Sequence, residues 1–188
     1  MIDLLVDEVS SQLNDHLRLK GMDDLYKCTV GDVTVHDKNN EAGGDNEIVE
    51  SIILSLVSVE EENALKNNYP LRKVGSSFLQ EKSSVYINVY LLFAAKYNNY
   101  DTALKALSQV ITCFQTIRRV FFVFDNETQE SVLNLHNMGF ENLNNLWTVL
   151  GGRYLPSVIY KARVLMFQQS PPVSGSAIVD IQEQEAIP

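Results

Sequence analysis

Three histidines, two cysteines and one Asp/Asn-rich loop are the side chains here whose types invite chemistry. His16, His36 and His136 lie far apart in the chain. None has a second histidine at ligand spacing, so the chain order carries no zinc pair. Cys28 and Cys113 lack a CxxC or Cys/His pattern, and two buried, reduced thiols are the expected state. The loop DKNNEAGGDNEI (37–48) sets Asp37, Asn39 and Glu41 at the alternate positions of a calcium loop. Ala42 then stands where the sharp turn requires Gly, and Ile48 where a bidentate Glu would close the shell. A specific calcium site is therefore not expected. GSSF (75–78) lacks the Lys-Ser/Thr and the preceding strand of a phosphate loop, and neither GxSxG nor HExxH occurs. These residues predict no catalytic site, no metal and no cofactor. Two charged stretches remain. EEE (60–62) is a solvated strand end. PLRKV (70–74) is a small basic-apolar patch suited either to plain loop surface or to docking an acidic neighbour.

The chain that must position these residues has 188 of them, enough for one domain with a sizeable core plus a tail. Its net charge of −9 repels phosphate, which makes nucleic acid a poor partner for the chain as a whole. MIDLLVDEVSSQLNDHL opens with Asp3 and Asp7 where a secretory signal needs basic residues, and no run reaches the ~18 apolar residues of a membrane helix. A cytoplasmic folding compartment is expected.

Periodicity supplies the elements. Ile2, Leu5, Val6, Val9, Leu13 and Leu17 predict an amphipathic first helix. KCTVGDVTV (27–35) predicts a short strand, and 36–47 a polar loop. IVESIILSLVSVEEE carries Ile52, Leu54 and Leu56 on one face and Ile53, Val57 and Val59 on the other, the pattern of a strand inside a sheet. Residues 60–82 show no clear period and predict a long loop of the functional or partner-bound kind. SVYINVYLLFAA gives a second strong strand, with Tyr86, Asn88, Tyr90 and Leu92 on a face suited to a covering helix or subunit. A helix from about Asp101 follows, its stripe made by Leu104, Leu107, Val110, Ile111 and Phe114 with Ala103 beside it. RRVFFVF (118–124) and, more weakly, ESVLNLHNM (130–138) read as strands. Leu143, Leu146, Trp147 and Leu150 predict a short helix over 140–150, with Gly151 as its left-handed cap and Pro156 launching the next strand. In SVIYKARVLMF, Lys161 and Arg163 share one face and mark a wetter side of the sheet. Pro171, Pro172, Gly175 and nearby serines make 168–188 a flexible tail, free to add a strand to a neighbouring subunit. The fold class expected is α/β (α+β). It has a single mixed or antiparallel sheet, two main helices and a short third, over residues 1–167.

Three stretches carry a resemblance: SLVSVEEENALKN (55–67), VYINVYLLFAAKYNNYDTALKALSQVITCFQ (85–115) and ENLNNLWTVLGGRYLPSVIYKARVL (141–165). The last is the most specific, a short Leu/Asn/Trp helix, a glycine stop, then Tyr-Leu-Pro-Ser and a strand. Together with the first helix they resemble the N-terminal domain of the tail-terminator, or cap, proteins of extracellular contractile injection systems. These are phage-tail-like particles of the antifeeding prophage and Photorhabdus virulence cassette type. The resemblance covers roughly residues 1–167. It implies a structural cap and no enzyme: a hexameric ring of the chain with itself, which ends polymerisation of the inner tube and sheath and couples the two. It further implies assembly in a bacterial cytoplasm and then residence in the particle, with no nucleic acid and no membrane segment. Another structural component, such as a baseplate or sheath adaptor, is the alternative. Within this frame the isolated apolar anchors and the basic pair of the loop and tail are the expected partner-binding residues: Tyr69, Leu71, Arg72, Lys73, Phe78, Ile178, Val179 and Ile181.

Overall fold

Ile2–Leu19 forms α1 because Leu5, Val6, Val9, Leu13 and Leu17 recur at helical spacing, and all five are buried. Asp3 lies in its first turn and Arg18 in its last, both in the sense the helix dipole favours. The computed structural model describes residues 1–34, 50–62, 71–74, 77–80, 85–151, 154–166 and 173–176. After α1 come β1 (Cys28–Val30), β2 (Ser51–Glu61), β3 (Leu71–Val74), β4 (Ser77–Gln80) and β5 (Val85–Lys96). They are followed by α2 (Tyr100–Thr116), β6 (Arg119–Phe124), β7 (Glu127–Leu135), α3 (Phe140–Val149), β8 (Ser157–Met166) and β9 (Val173–Ser176). The chain divides into two units, Met1–Glu61 with Ile87–Leu165, and Glu62–Tyr86 with Met166–Pro188.

The first unit holds a six-stranded sheet in the order β1-β2-β5-β8-β7-β6. β1 runs parallel to β2, whereas β2–β5, β6–β7 and β7–β8 are antiparallel. The fold is α+β with a mixed sheet, one of the two sheet types that the sequence predicts. Directly paired residues share a face. One face therefore carries Ile52, Leu54, Val89 and Phe93. Phe93 meets Phe114 of α2 at 5.4 Å and Tyr160 of β8 at 5.7 Å between ring centroids. α1 packs against both β1 and β6, the two ends of the strand order, so the sheet curls around this helix. On the opposite face Ile53, Leu92, Ala94 and Ile159 receive Trp147 of α3. With apolar side chains on both faces, β2 and β5 occupy the interior of the sheet.

Several local readings change. The strand expected over 27–35 ends at Val30. There Asp32 accepts hydrogen bonds from the Thr34 backbone N–H and hydroxyl, both at 2.8 Å, a local turn that competes with the ladder. Leu104, counted in the buried stripe of α2, is 43% exposed. The buried line instead runs through Ala103, Ala106, Leu107, Val110, Cys113 and Phe114. β7 begins at Glu127, three residues earlier than the pattern predicts, because Asp125 and Asn126 turn the chain in two residues with φ of 55° and 63°. Asp and Asn tolerate that left-handed region, and a two-residue turn of this kind matches the twist of a hairpin.

The helix–cap–turn–strand corner is present. α3 ends at Val149 and Gly151 takes φ +104°. No heavy atom outside its neighbours lies within 4 Å of a Cβ built there, so the demand for glycine is purely conformational. Gly151→Val is expected to lower stability by about 1 kcal/mol or more through backbone strain. A melting temperature equal to the parent's would show that the corner relaxes without a left-handed residue.

The second unit contains a three-stranded sheet, β3-β4-β9. The loop expected to be irregular over 60–82 thus includes a hairpin, with Leu71↔Gln80 to Val74↔Ser77 in antiparallel register. Exactly two residues, Gly75 and Ser76, separate the paired ends, a spacing and composition that hairpins use. The tail supplies the third strand, pairing Ser77↔Ser176 to Gln80↔Val173 within its own chain.

Candidate interaction surfaces

The reactive side chains are held apart and quiet. Cys28 and Cys113 are free and buried. Burial pushes the Cys28 thiol up to about 12 and the Cys113 thiol up to about 11, so both are protonated and poor nucleophiles near neutral pH. The backbone of Cys28 is clasped by Asn14. Its N–H donates to Asn14 Oδ1 at 2.8 Å, and its C=O accepts from Asn14 Nδ2 at 3.0 Å. This clasp fixes β1 to α1. Burial, then the Lys20 charge, lowers the pKa of His16, whose Nε2 has no hydrogen-bond partner. The His136 ring stands edge-on to Tyr90 at 5.0 Å. His36 and the calcium-like stretch 37–48 lie outside the described residues. Among the described residues no group of three His, Cys, Asp or Glu side chains could hold a metal ion.

Of the expected partner-binding residues, Leu71, Arg72 and Lys73 fall on β3 and Phe78 on β4, where Lys73 and Phe78 are register partners. Tyr69, Ile178, Val179 and Ile181 lie outside the described residues. The pairing of β4 with β9 joins segments from the loop and from the tail in one small sheet.

The first unit adds two further surfaces. A cleft of about 630 Å³ opens where the start of α1 meets the ends of β1 and the middle of β2. Ile2, Val30 and Leu56 form apolar walls, with Val30 49% and Leu56 48% exposed. Asp3, Asp7 and Asp32 also line it, and no Lys or Arg does so among the described residues. The hydrogen bond from the Met1 ammonium holds the Asp3 carboxyl below its usual range. No sequence signal announces this cleft, because residues of α1, β1, β2, the turn after β1 and the end of α3 build it.

The second surface is the outer face of β6, β7 and β8. Alternation on edge strand β6 puts Arg119, Phe121 and Val123 outward, and Phe121 is 50% and Val123 63% exposed. Register places Val132 beside Arg119 and Arg163, and Asn134 beside Lys161. Arg119 pairs with Glu130 at 3.2 Å. This is the wetter face that Lys161 and Arg163 predicted. The apolar residues on it were legible too: RRVFFVF is apolar on both faces, so at a sheet edge one face has to meet solvent.

A curled sheet with helices on both faces and apolar side chains turned to solvent on β6 defines an α+β domain. The chain belongs to the Pvc16 N-terminal domain family, whose pattern matches residues 4–180. Its fold is similar to the solved anti-feeding prophage cap, the tube-terminating cap of that particle. The likeness has 15% identity over 75% of this chain and 51% of that one, with a TM-score of 0.50. The sheath/tube terminator of an extracellular contractile injection system, PVC, in its extended state, is also matched, at 17% identity over 95% of this chain and 63% of that one with a TM-score of 0.49. The chain thus spans about half of the first structure and under two thirds of the second. No curated protein matches it.

Proposed function

We propose that this chain is the structural cap, or tail terminator, of a contractile injection system. Copies of it close as a hexameric ring on the end of the inner tube and sheath, stop their polymerisation and couple the sheath end to the tube. Membership of the Pvc16 N-terminal domain family over residues 4–180 is the observation that carries this reading. The cap is assembled in a bacterial cytoplasm and then travels with the particle. It works by contact and not by catalysis. The contacts with tube and sheath fall to the second unit, through Tyr69, Leu71, Arg72, Lys73 and Phe78. The tail anchors Ile178, Val179 and Ile181 reach a neighbouring subunit. A few apolar anchors flanked by polar chain contribute most when a partner pocket buries them, and Arg72 and Lys73 add attraction to an acidic partner.

Particles from a strain lacking this chain are expected to show tubes of uncontrolled length in negative-stain images. Replacing Leu71, Arg72 and Lys73 together with Ser is expected to reproduce that defect while the subunit stays soluble. Deleting 177–188, which spares β9, is expected to weaken ring formation. Normal tube lengths without the chain would overturn the cap reading, and tubes of normal length detached from their baseplates would favour an adaptor.

A further inference from the structure

The two surfaces of the first unit are opposite in charge and alike in their apolar content. Around the cleft, Asp3, Asp7 and Asp32 are the charged side chains among the described lining residues, and Asp3 binds the Met1 ammonium. On the outer face of β6–β8, Arg119, Lys161 and Arg163 are the cations among the described residues, and Arg119 pairs with Glu130. Asp7 and Arg163 are both exposed. The cleft offers concave apolar walls in Val30 and Leu56, and the strand face offers projecting apolar side chains in Phe121 and Val123. The surfaces share no residue. One belongs to the β1 end of the strand order and the other to the β6 end.

We infer that the acidic cleft of one copy receives the basic outer face of β6–β8 of a second copy, head to tail, and that this is the contact which repeats around the ring. The inference rests on the ring reading above and specifies where its subunits meet. A contact between two different surfaces leaves one copy with its basic face unused and the other with its cleft unused. Such a contact is heterologous and propagates until rotation closes it. Two surfaces of the same kind would instead give an isolated twofold dimer. Opposite charge across the contact also speeds encounter and selects the partner surface, with a strength that salt reduces.

The test is a charge exchange in the full chain, read by sedimentation velocity and by tube length. Asp7→Lys and Arg163→Glu sit on exposed positions of a helix and a strand. Each alone is expected to weaken self-association about tenfold or more, the size of effect that misplaced charge gives at an interface. A chain carrying both changes is expected to recover to within about threefold of the parent, since the pair is restored with its signs reversed. Phe121→Ser with Val123→Ser is expected to weaken association without rescue by either charge variant. Unchanged association in every variant, additive loss in the double charge variant, or a parent that remains monomeric both alone and on tubes would each overturn the contact. Tube length separates this from the wider reading. Loss of the contact effect with tube control intact moves the ring interface elsewhere and leaves the cap standing, whereas uncontrolled tubes that track the charge variants support both.

Discussion

Trp147→Ala is expected to lower the free energy of unfolding by ~3–5 kcal/mol. The indole is buried on the outer sheet face among Val33, Ile53, Leu92, Ala94 and Ile159. Leu143, Leu146 and Leu150, from the same helical stripe, pack at the margin of that cluster, and Tyr154 meets the ring edge-on at 5.7 Å. Truncation to Ala removes the largest side chain by which α3 holds β2, β5 and β8, and the rigid strands beneath cannot move in to fill the space. Against a typical total stability of about 5–15 kcal/mol, that is a large share. Trp147→Phe is expected to cost less, under about 2 kcal/mol. An aromatic ring stays in the site, and the indole N–H that disappears has no hydrogen-bond partner to lose. The measurement is urea unfolding followed by far-UV circular dichroism, because Trp147 is the chain's one Trp and its fluorescence vanishes with it. A midpoint equal to the parent's for the Ala variant would mean that α3 adds nothing to the sheet's stability.

The same residues explain which parts of the fold could be read from sequence. Amphipathic spacing made α1, α2 and α3 legible, since each buries one stripe against a sheet and periodicity records that stripe directly. Continuous apolar runs made β2 and β5 legible, because interior strands covered on both faces have no polar alternation to hide, and β8 was legible by the alternation of Lys161 and Arg163 with Tyr160, Ala162 and Val164. The corner at Gly151 was legible because glycine at a helix end has a specific conformational use. Elements that depend on partners far away in sequence were harder. The hairpin of β3 and β4 has only four residues per strand, too few for an alternation to stand out from a polar background. The pairing of β9 with β4 joins positions about a hundred residues apart, a fact no local window contains. The surfaces divide in the same way. The basic residues of the β8 face sit two apart on one strand and were visible. The acidic cleft is made by residues from α1, β1 and the turn after it, β2 and the end of α3, which meet only in the folded chain.

Phe93→Ala is expected to be at least as damaging, with a loss of ~3–5 kcal/mol, and to act through the opposite face of the sheet. Phe93 is fully buried on β5, and its ring lies 5.4 Å from Phe114 and 5.7 Å from Tyr160, while Phe114 and Tyr160 are 5.3 Å apart. Three rings from β5, α2 and β8 thus close a triangle between two neighbouring strands and the helix that covers them. Pairs at these separations contribute about 0.5–1.5 kcal/mol each beyond the area they bury. Removing Phe93 breaks two of the three contacts and leaves a void beside the third. A double-mutant cycle between Phe93 and Phe114, each changed to Leu, isolates the ring–ring contribution from simple volume loss. The expected coupling is about 0.5–1.5 kcal/mol, with the denaturant slope unchanged so that stability rather than compactness is being read. Additive single effects would reduce the triangle to ordinary packing. A Phe93→Ala variant with the parent's midpoint would contradict the assignment of this face as the core on which α1 and α2 rest.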